Sequence, residues 1–125
     1  DLPVTVTMSF DSHGRTMMGV KPEAAVTFLL NLGVAAVGVN CGRTLEENLV
    51  ALTAMRQAAP EATLIAKPNA GLPRMEAGGE IVYDVTPEVM ADYALKFKTL
   101  GVKMFGGCCG SNPAHIAAVK NALAG

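Results

Sequence analysis

Cys41, Cys108 and Cys109 are the chain's three cysteines, and two of them are adjacent. Three soft thiolates favour zinc over magnesium or calcium. Three protein ligands leave one position of a tetrahedral ion open, which is the pattern of a catalytic centre. A thiol entering that position loses its proton, as coordinating thiols do, and becomes a nucleophile at neutral pH. The chemistry indicated is alkyl transfer onto sulfur. A purely structural zinc needs a fourth strong ligand, and His13 and His115 are the two histidines available. His13 falls in a Ser12-His13-Gly14 turn and is expected to be solvated. His115 lies just inside the last helix and is expected to be a surface or supporting residue.

Plainer readings stand beside this one. A lone cysteine is often a small buried hydrophobe. Adjacent Cys108 and Cys109 could close a strained disulfide or serve a thiol redox protein. Asn69, in Pro68-Asn69-Ala70-Gly71, is either a turn residue or a group beside the metal. Arg15, Arg43 and Arg74 fall in loops where exposure is the ordinary outcome. The Gly106-Gly107-Cys108-Cys109-Gly110 run lacks the lysine of a phosphate-binding loop. The seven methionines are scattered and read as packing.

The elements that must position these residues repeat along the chain. Residues 4–9 form a β-branched run, followed by a polar loop. Residues 22–32 carry Ala25, Phe28, Leu29 and Leu32 at helical spacing, and Gly33 is a natural stop. Residues 34–39 are apolar without alternation, as in a strand covered on both faces. Thr44 and Glu47 read as a capping box for a helix ending near Ala59, before Pro60. Residues 63–67 give a third strand, and the long loop after it contains a hairpin turn at residues 76–80. Thr86 and Pro87 open a further helix that Gly101 stops. Residues 102–105 are the fourth strand, and Asn112-Pro113 opens the last helix, with Ile116, Val119 and Leu123 on one face.

Four consecutive βα units predict an α/β fold with a parallel sheet, either doubly wound or part of a closed (βα)8 barrel. A barrel typically needs about 250 residues, so 125 residues would supply four of its eight units, a single partial domain over 1–125. In either fold, function gathers on the loops after strand C-termini. Cys41 follows the second strand, Asn69 the third, and Cys108-Cys109 the fourth. In a flat sheet the second and fourth strands lie about 10 Å apart, and barrel curvature shortens the gap. Cys108 and Cys109 can share one ion only on irregular backbone, for which Gly106, Gly107 and Gly110 provide freedom.

Ten basic and eleven acidic residues give a net charge of -1, which offers no reason to bind nucleic acid or an anionic membrane. Four Phe, two Tyr and no Trp leave little for base stacking. No run approaches the ~20 apolar residues of a membrane span. An odd cysteine count with an adjacent pair does not suit a secreted disulfide framework and points to a reducing cytoplasm. The chain begins at Asp1 on a strand-like run, so a trimmed or truncated start is expected.

Gly38-Val39-Asn40-Cys41, Pro68-Asn69-Ala70-Gly71 and Gly106-Gly107-Cys108-Cys109-Gly110 resemble, in order and spacing, the three C-terminal signatures of homocysteine S-methyltransferase domains. Ser9-Phe10-Asp11 and Gly14-Arg15 resemble that family's fifth-strand region, so the similarity runs the whole chain. The resemblance implies the last four units of a (βα)8 barrel, with Cys41, Cys108 and Cys109 as zinc ligands. It places Asn69 beside the metal as a substrate-side residue, able to ligate zinc through its amide oxygen until substrate displaces it. The implied activity is methyl transfer to homocysteine, giving methionine. The donor is left open: methylcobalamin or methyl-folate on a donor-carrying domain, betaine, or a sulfonium compound. In the family, the first four strands hold the amino-acid end of homocysteine. This chain is therefore expected to be inactive alone and to pair with an N-terminal half-barrel or as a homodimer. A non-catalytic zinc-binding assembly module is the non-enzymatic alternative.

Overall fold

The computed structural model describes residues 1–125. Strand β1 (Thr5–Met8) leads to helix α1 (Pro22–Asn31), then β2 (Ala36–Cys41), α2 (Leu45–Ala58) and β3 (Leu64–Pro68). A short hairpin, β4 (Pro73–Met75) and β5 (Ile81–Tyr83), precedes α3 (Pro87–Thr99), β6 (Val102–Phe105) and α4 (Pro113–Ala124). Local chemistry sets the helix ends. Pro22, Pro87 and Pro113 stand in the first turns, where a missing N–H costs no helical bond. Thr44 Oγ1 accepts from Glu47 N and Thr86 Oγ1 from Val89 N. Gly33 and Gly101 stand just past two helix ends with φ of 86° and 84°, a conformation that costs glycine little.

The expected Thr44–Glu47 box forms only on one side. Glu47 turns its carboxylate toward Arg43, 3.9 Å away, and does not return to the Thr44 N–H. The reciprocal box occurs instead at α4, where Asn112 and His115 cap each other. Histidine at the third position takes the part usually played by glutamate.

All neighbours in the four-stranded sheet are parallel, and their order β1-β2-β3-β6 follows the sequence without reversal. A doubly wound sheet reverses its strand order at a switch point. This sheet does not, so the four units wind in one direction as a barrel segment does. Val37, Val39, Leu64 and Ala66 face α1, α2 and α3 in one core cluster with Val26, Leu52, Met55 and Phe97. The core thus lies between one face of the sheet and the helices. By strand alternation, Thr5, Thr7, Asn40, Lys67 and Met104 belong to the opposite face. Thr5 and Lys67 are exposed there, and Met104 is 40% exposed.

The two central strands are the most buried and the two edges the least. Gly38 leaves room for the neighbouring strand: a Cβ there would collide with the Ile65 backbone. The expected turn at residues 76–80 closes the β4–β5 hairpin, with Glu76 N bonded to Glu80 O at 2.8 Å. Arg56 ties the base of the sheet together, donating to the carbonyls of Pro60, Ala62, Leu100 and Gly101.

Phe97 is fully buried and stacks at 5.7 Å against Phe105. Phe97→Ala is expected to cost about 3–5 kcal/mol of folding stability, read as a lowered denaturant midpoint with an unchanged slope.

Candidate metal centre

Cys41 is the last residue of β2 and adopts a φ of 56°, with Gly42 following at 76°. Positive φ is unfavourable for a side-chain-bearing residue, so the turn needs outside support. Asn48 Nδ2 donates to Cys41 O at 2.8 Å, and Asn69 N donates to the same oxygen at 3.2 Å. The Asn48 amide lies so near Gly42 that a Cβ there would be 2.7 Å from its Oδ1. Asn48 was not legible as a site residue. Its signal was a polar residue in the buried stripe Leu45, Asn48, Leu52, Met55 of α2.

The second segment is fastened to the third strand. Gly106 N bonds to Ala66 O and Cys108 N to Pro68 O, each at 2.9 Å. The chain then leaves strand geometry, with Gly110 at a φ of 81° and the Tyr83 ring packed on it. Of the three glycines expected to give freedom here, Gly110 alone uses positive φ. Gly107 instead makes room, since a Cβ there would be 2.6 Å from Ser111. Asn69 stands between the two segments. Its Nδ2 donates to Gly42 O at 3.0 Å, and its Oδ1 accepts from Cys109 N at 2.9 Å.

The result is convergence. Cys41 Sγ and Cys108 Sγ are 2.7 Å apart, and all three sulfurs lie within 4.8 Å of one another. A tetrahedral ion with Zn–S bonds of ~2.3 Å holds its sulfurs about 3.8 Å apart. The spacing brackets that value, and the Cys41–Cys108 pair must open by about 1 Å to take an ion. Cys41 and Cys108 are half-buried and Cys109 is exposed, so one side of the cluster faces outward. The Cys108 thiol hydrogen-bonded to Cys41, helped by burial, pushes the Cys41 thiol above its ordinary value.

His115 is buried, not superficial. Its Nε2 meets Val85 O at 2.8 Å and its Nδ1 faces Asn112 N at 3.3 Å. It is a cap that pins α4 to the end of the hairpin, outside the sulfur cluster. His13 is exposed at a φ of 57°. Arg43 and Arg74 make exposed pairs with Glu47 and Glu76. Arg15 reaches Gly19 O at 3.5 Å.

The sequence pattern of the homocysteine S-methyltransferase family matches residues 1–123. The chain belongs to that family. A methionine synthase from Mycobacterium tuberculosis is 34% identical over 127 residues, covering 98% of this chain and 10% of the relative. Among solved structures, the oxidised form of the homocysteine methyltransferase MmuM from Escherichia coli superposes with a TM-score of 0.71 at 26% identity, covering 95% of this chain and 36% of that one. The metallated form gives 0.72 at 25% identity, covering 95% and 35%. The chain therefore spans a tenth of the methionine synthase and about a third of MmuM. These solved relatives are TIM-barrel enzymes, which agrees with the unreversed strand order.

Two outcomes are expected of the metal-free chain. Asn69→Ala removes one part-buried and one exposed hydrogen bond and should cost about 1–2 kcal/mol in chemical denaturation. Because its thiol is raised, Cys41 should react with a maleimide more slowly than an ordinary cysteine at pH 8 and catch up as pH climbs past its usual midpoint. Site-resolved mass spectrometry reads both rates.

Proposed function

We propose that this chain supplies the zinc-binding portion of a methyltransferase that transfers a methyl group to the thiol of homocysteine, giving methionine. The observation that supports it is the meeting of three sulfurs from two separate segments at the C-terminal rim of a barrel-like sheet. Cys41, Cys108 and Cys109 would hold the metal. Zinc bound there supplies positive charge that stabilises a deprotonated thiol at neutral pH.

The chain's own residues do the rest. Asn48 and the Asn69 backbone hold Cys41 in its strained turn, and Gly110 bends the second cysteine segment toward it. Asn69, bonded to backbone on both sides of the cluster, is assigned to the substrate side of the centre. The outward face at Cys109 is the approach for the guest thiol. No protein general base is required.

Residues 1–125 are assigned to a single partial domain, the C-terminal half of a homocysteine-binding barrel. Groups for the amino-acid end of homocysteine would come from a complementary half-barrel, so 1–125 alone should be inactive. The donor is carried by methylcobalamin or methyl-folate on a separate domain, or is betaine or a sulfonium compound. The relationship to methionine synthase favours a donor-carrying domain. Free thiols suit a cytoplasmic location. No helix is long and apolar enough to cross a membrane.

Zinc should bind at one ion per chain, and Cys41→Ser should abolish stoichiometric binding. Methylation of homocysteine should require both zinc and the complementary half-barrel. Activity that needs no metal and survives Cys41→Ser would instead support a thiol redox protein. Zinc binding without methylation, with the other half supplied, would support an assembly module. The bare sheet face and edge strands should make 1–125 self-associate, giving a light-scattering mass above the 12.9 kDa monomer. A stable monomer would contradict that expectation.

A further inference from the structure

All sulfurs around such a metal are thiolates, yet only the guest sulfur should accept the methyl group. Something must hold the protein's own sulfurs back. Asn40 precedes Cys41 on β2, and its Nδ2 stands 3.4 Å from Cys41 Sγ, a normal N–H···S separation, and 3.2 Å from Ser9 Oγ. Ser9 lies just beyond β1 and donates its hydroxyl proton to the Asn40 backbone carbonyl at 3.0 Å. With that proton engaged, the Ser9 oxygen offers a lone pair, which fixes the nitrogen end of the Asn40 amide toward it. The second amide N–H is then directed at the Cys41 sulfur. The orientation of Asn40 is set by this neighbour on the adjacent strand.

We infer that Asn40, oriented by Ser9, is a positioning residue that withdraws charge from the Cys41 sulfur and so keeps it from accepting the methyl group while it serves as a metal ligand. This deepens the zinc reading and rests on it. An N–H donor lowers the energy of the sulfur lone pair, which weakens both its donation to a metal and its attack on an alkyl carbon. The effect is strongest where negative charge is crowded, as it would be once a metal held the three sulfurs, which lie within 4.8 Å of one another with Cys41 and Cys108 half-buried. Cys41 is the cysteine with an amide side chain on its sulfur.

The test uses cobalt(II) in place of zinc, with Asn40→Leu, Ser9→Ala and Ser9→Thr in the full chain. Loss of the donor should move the sulfur-to-cobalt charge-transfer band to longer wavelength in Asn40→Leu, and less so in Ser9→Ala. Ser9→Thr keeps a hydroxyl and should restore the original band. In the zinc-loaded protein, iodoacetamide forms a sulfur–carbon bond and releases iodide. Mass spectrometry should find the ratio of the alkylation rate at Cys41 to those at Cys108 and Cys109 raised about fivefold in Asn40→Leu. Variants that bind cobalt one-to-one with an unmoved band and an unchanged Cys41 rate ratio overturn the inference while leaving the zinc reading intact. Failure of the unsubstituted chain to bind cobalt overturns both. Should Asn40→Leu fail to fold, the band positions of Ser9→Ala and Ser9→Thr decide between these outcomes.

Discussion

The structure of the site depends on how the parallel register of β2, β3 and β6 continues past the ends of the strands. Cys41 pairs with Pro68 in the ladder. Beyond that point Asn69 N reaches back to Cys41 O on one side, while Cys108 N takes Pro68 O and Ala70 N takes Cys109 O on the other. The segment after β3 thus serves as a backbone strip to which both cysteine segments are fastened. Two strands that are not neighbours would otherwise set their sulfurs about 10 Å apart. The distance is closed by the strands bending onto this shared strip, with the Asn69 amide bonded across it. Side-chain chemistry at the centre is downstream of main-chain hydrogen bonding.

Much of this was legible because each βα unit carries its own punctuation. Gly33, Gly101, Thr86 and Pro87 sit at the helix ends they were expected to mark. The rim positions of Cys41, Asn69 and Cys108-Cys109 followed from strand ends alone. Choosing between an open sheet and a barrel was not possible from periodicity, since both use the same unit. The unreversed strand order decides it. The Asn112–His115 box escaped because sequence patterns look for glutamate at that position, yet one imidazole nitrogen meets the cap N–H and the other still reaches Val85 O. Asn48, Asn40 and Ser9 escaped for a different reason. Their roles exist only between elements, and no local pattern encodes a contact from α2 to β2 or from β1 to β2.

The hairpin and α4 brace the same centre from outside the sheet. Val85 N bonds to Ala70 O, and Val85 O receives His115, so the chain leaving the hairpin is fixed between the backbone strip and the last helix. Tyr83 closes over Gly110 from the same side. The second cysteine segment is thereby held on two sides. A glycine at 110 is required twice, for its positive φ and for the ring that occupies the place of a side chain.

The position of Asn69 bears on how a metal could be loaded. Its Oδ1 already accepts from Cys109 N, and its Nδ2 already donates to Gly42 O. An amide oxygen has two lone pairs, so it could face an ion only with the one left over, or by releasing Cys109. In the first case the bridge and the ligation coexist, and the amide is held in place for the ion before it arrives. In the second, binding the metal would loosen the cysteine segment it needs. Preorganisation favours the first, because a ligand set whose supports survive loading need not reorganise on each exchange of substrate. The two hydrogen bonds that join the cysteine segments through Asn69 would then also hold its amide beside a metal bound by the three sulfurs.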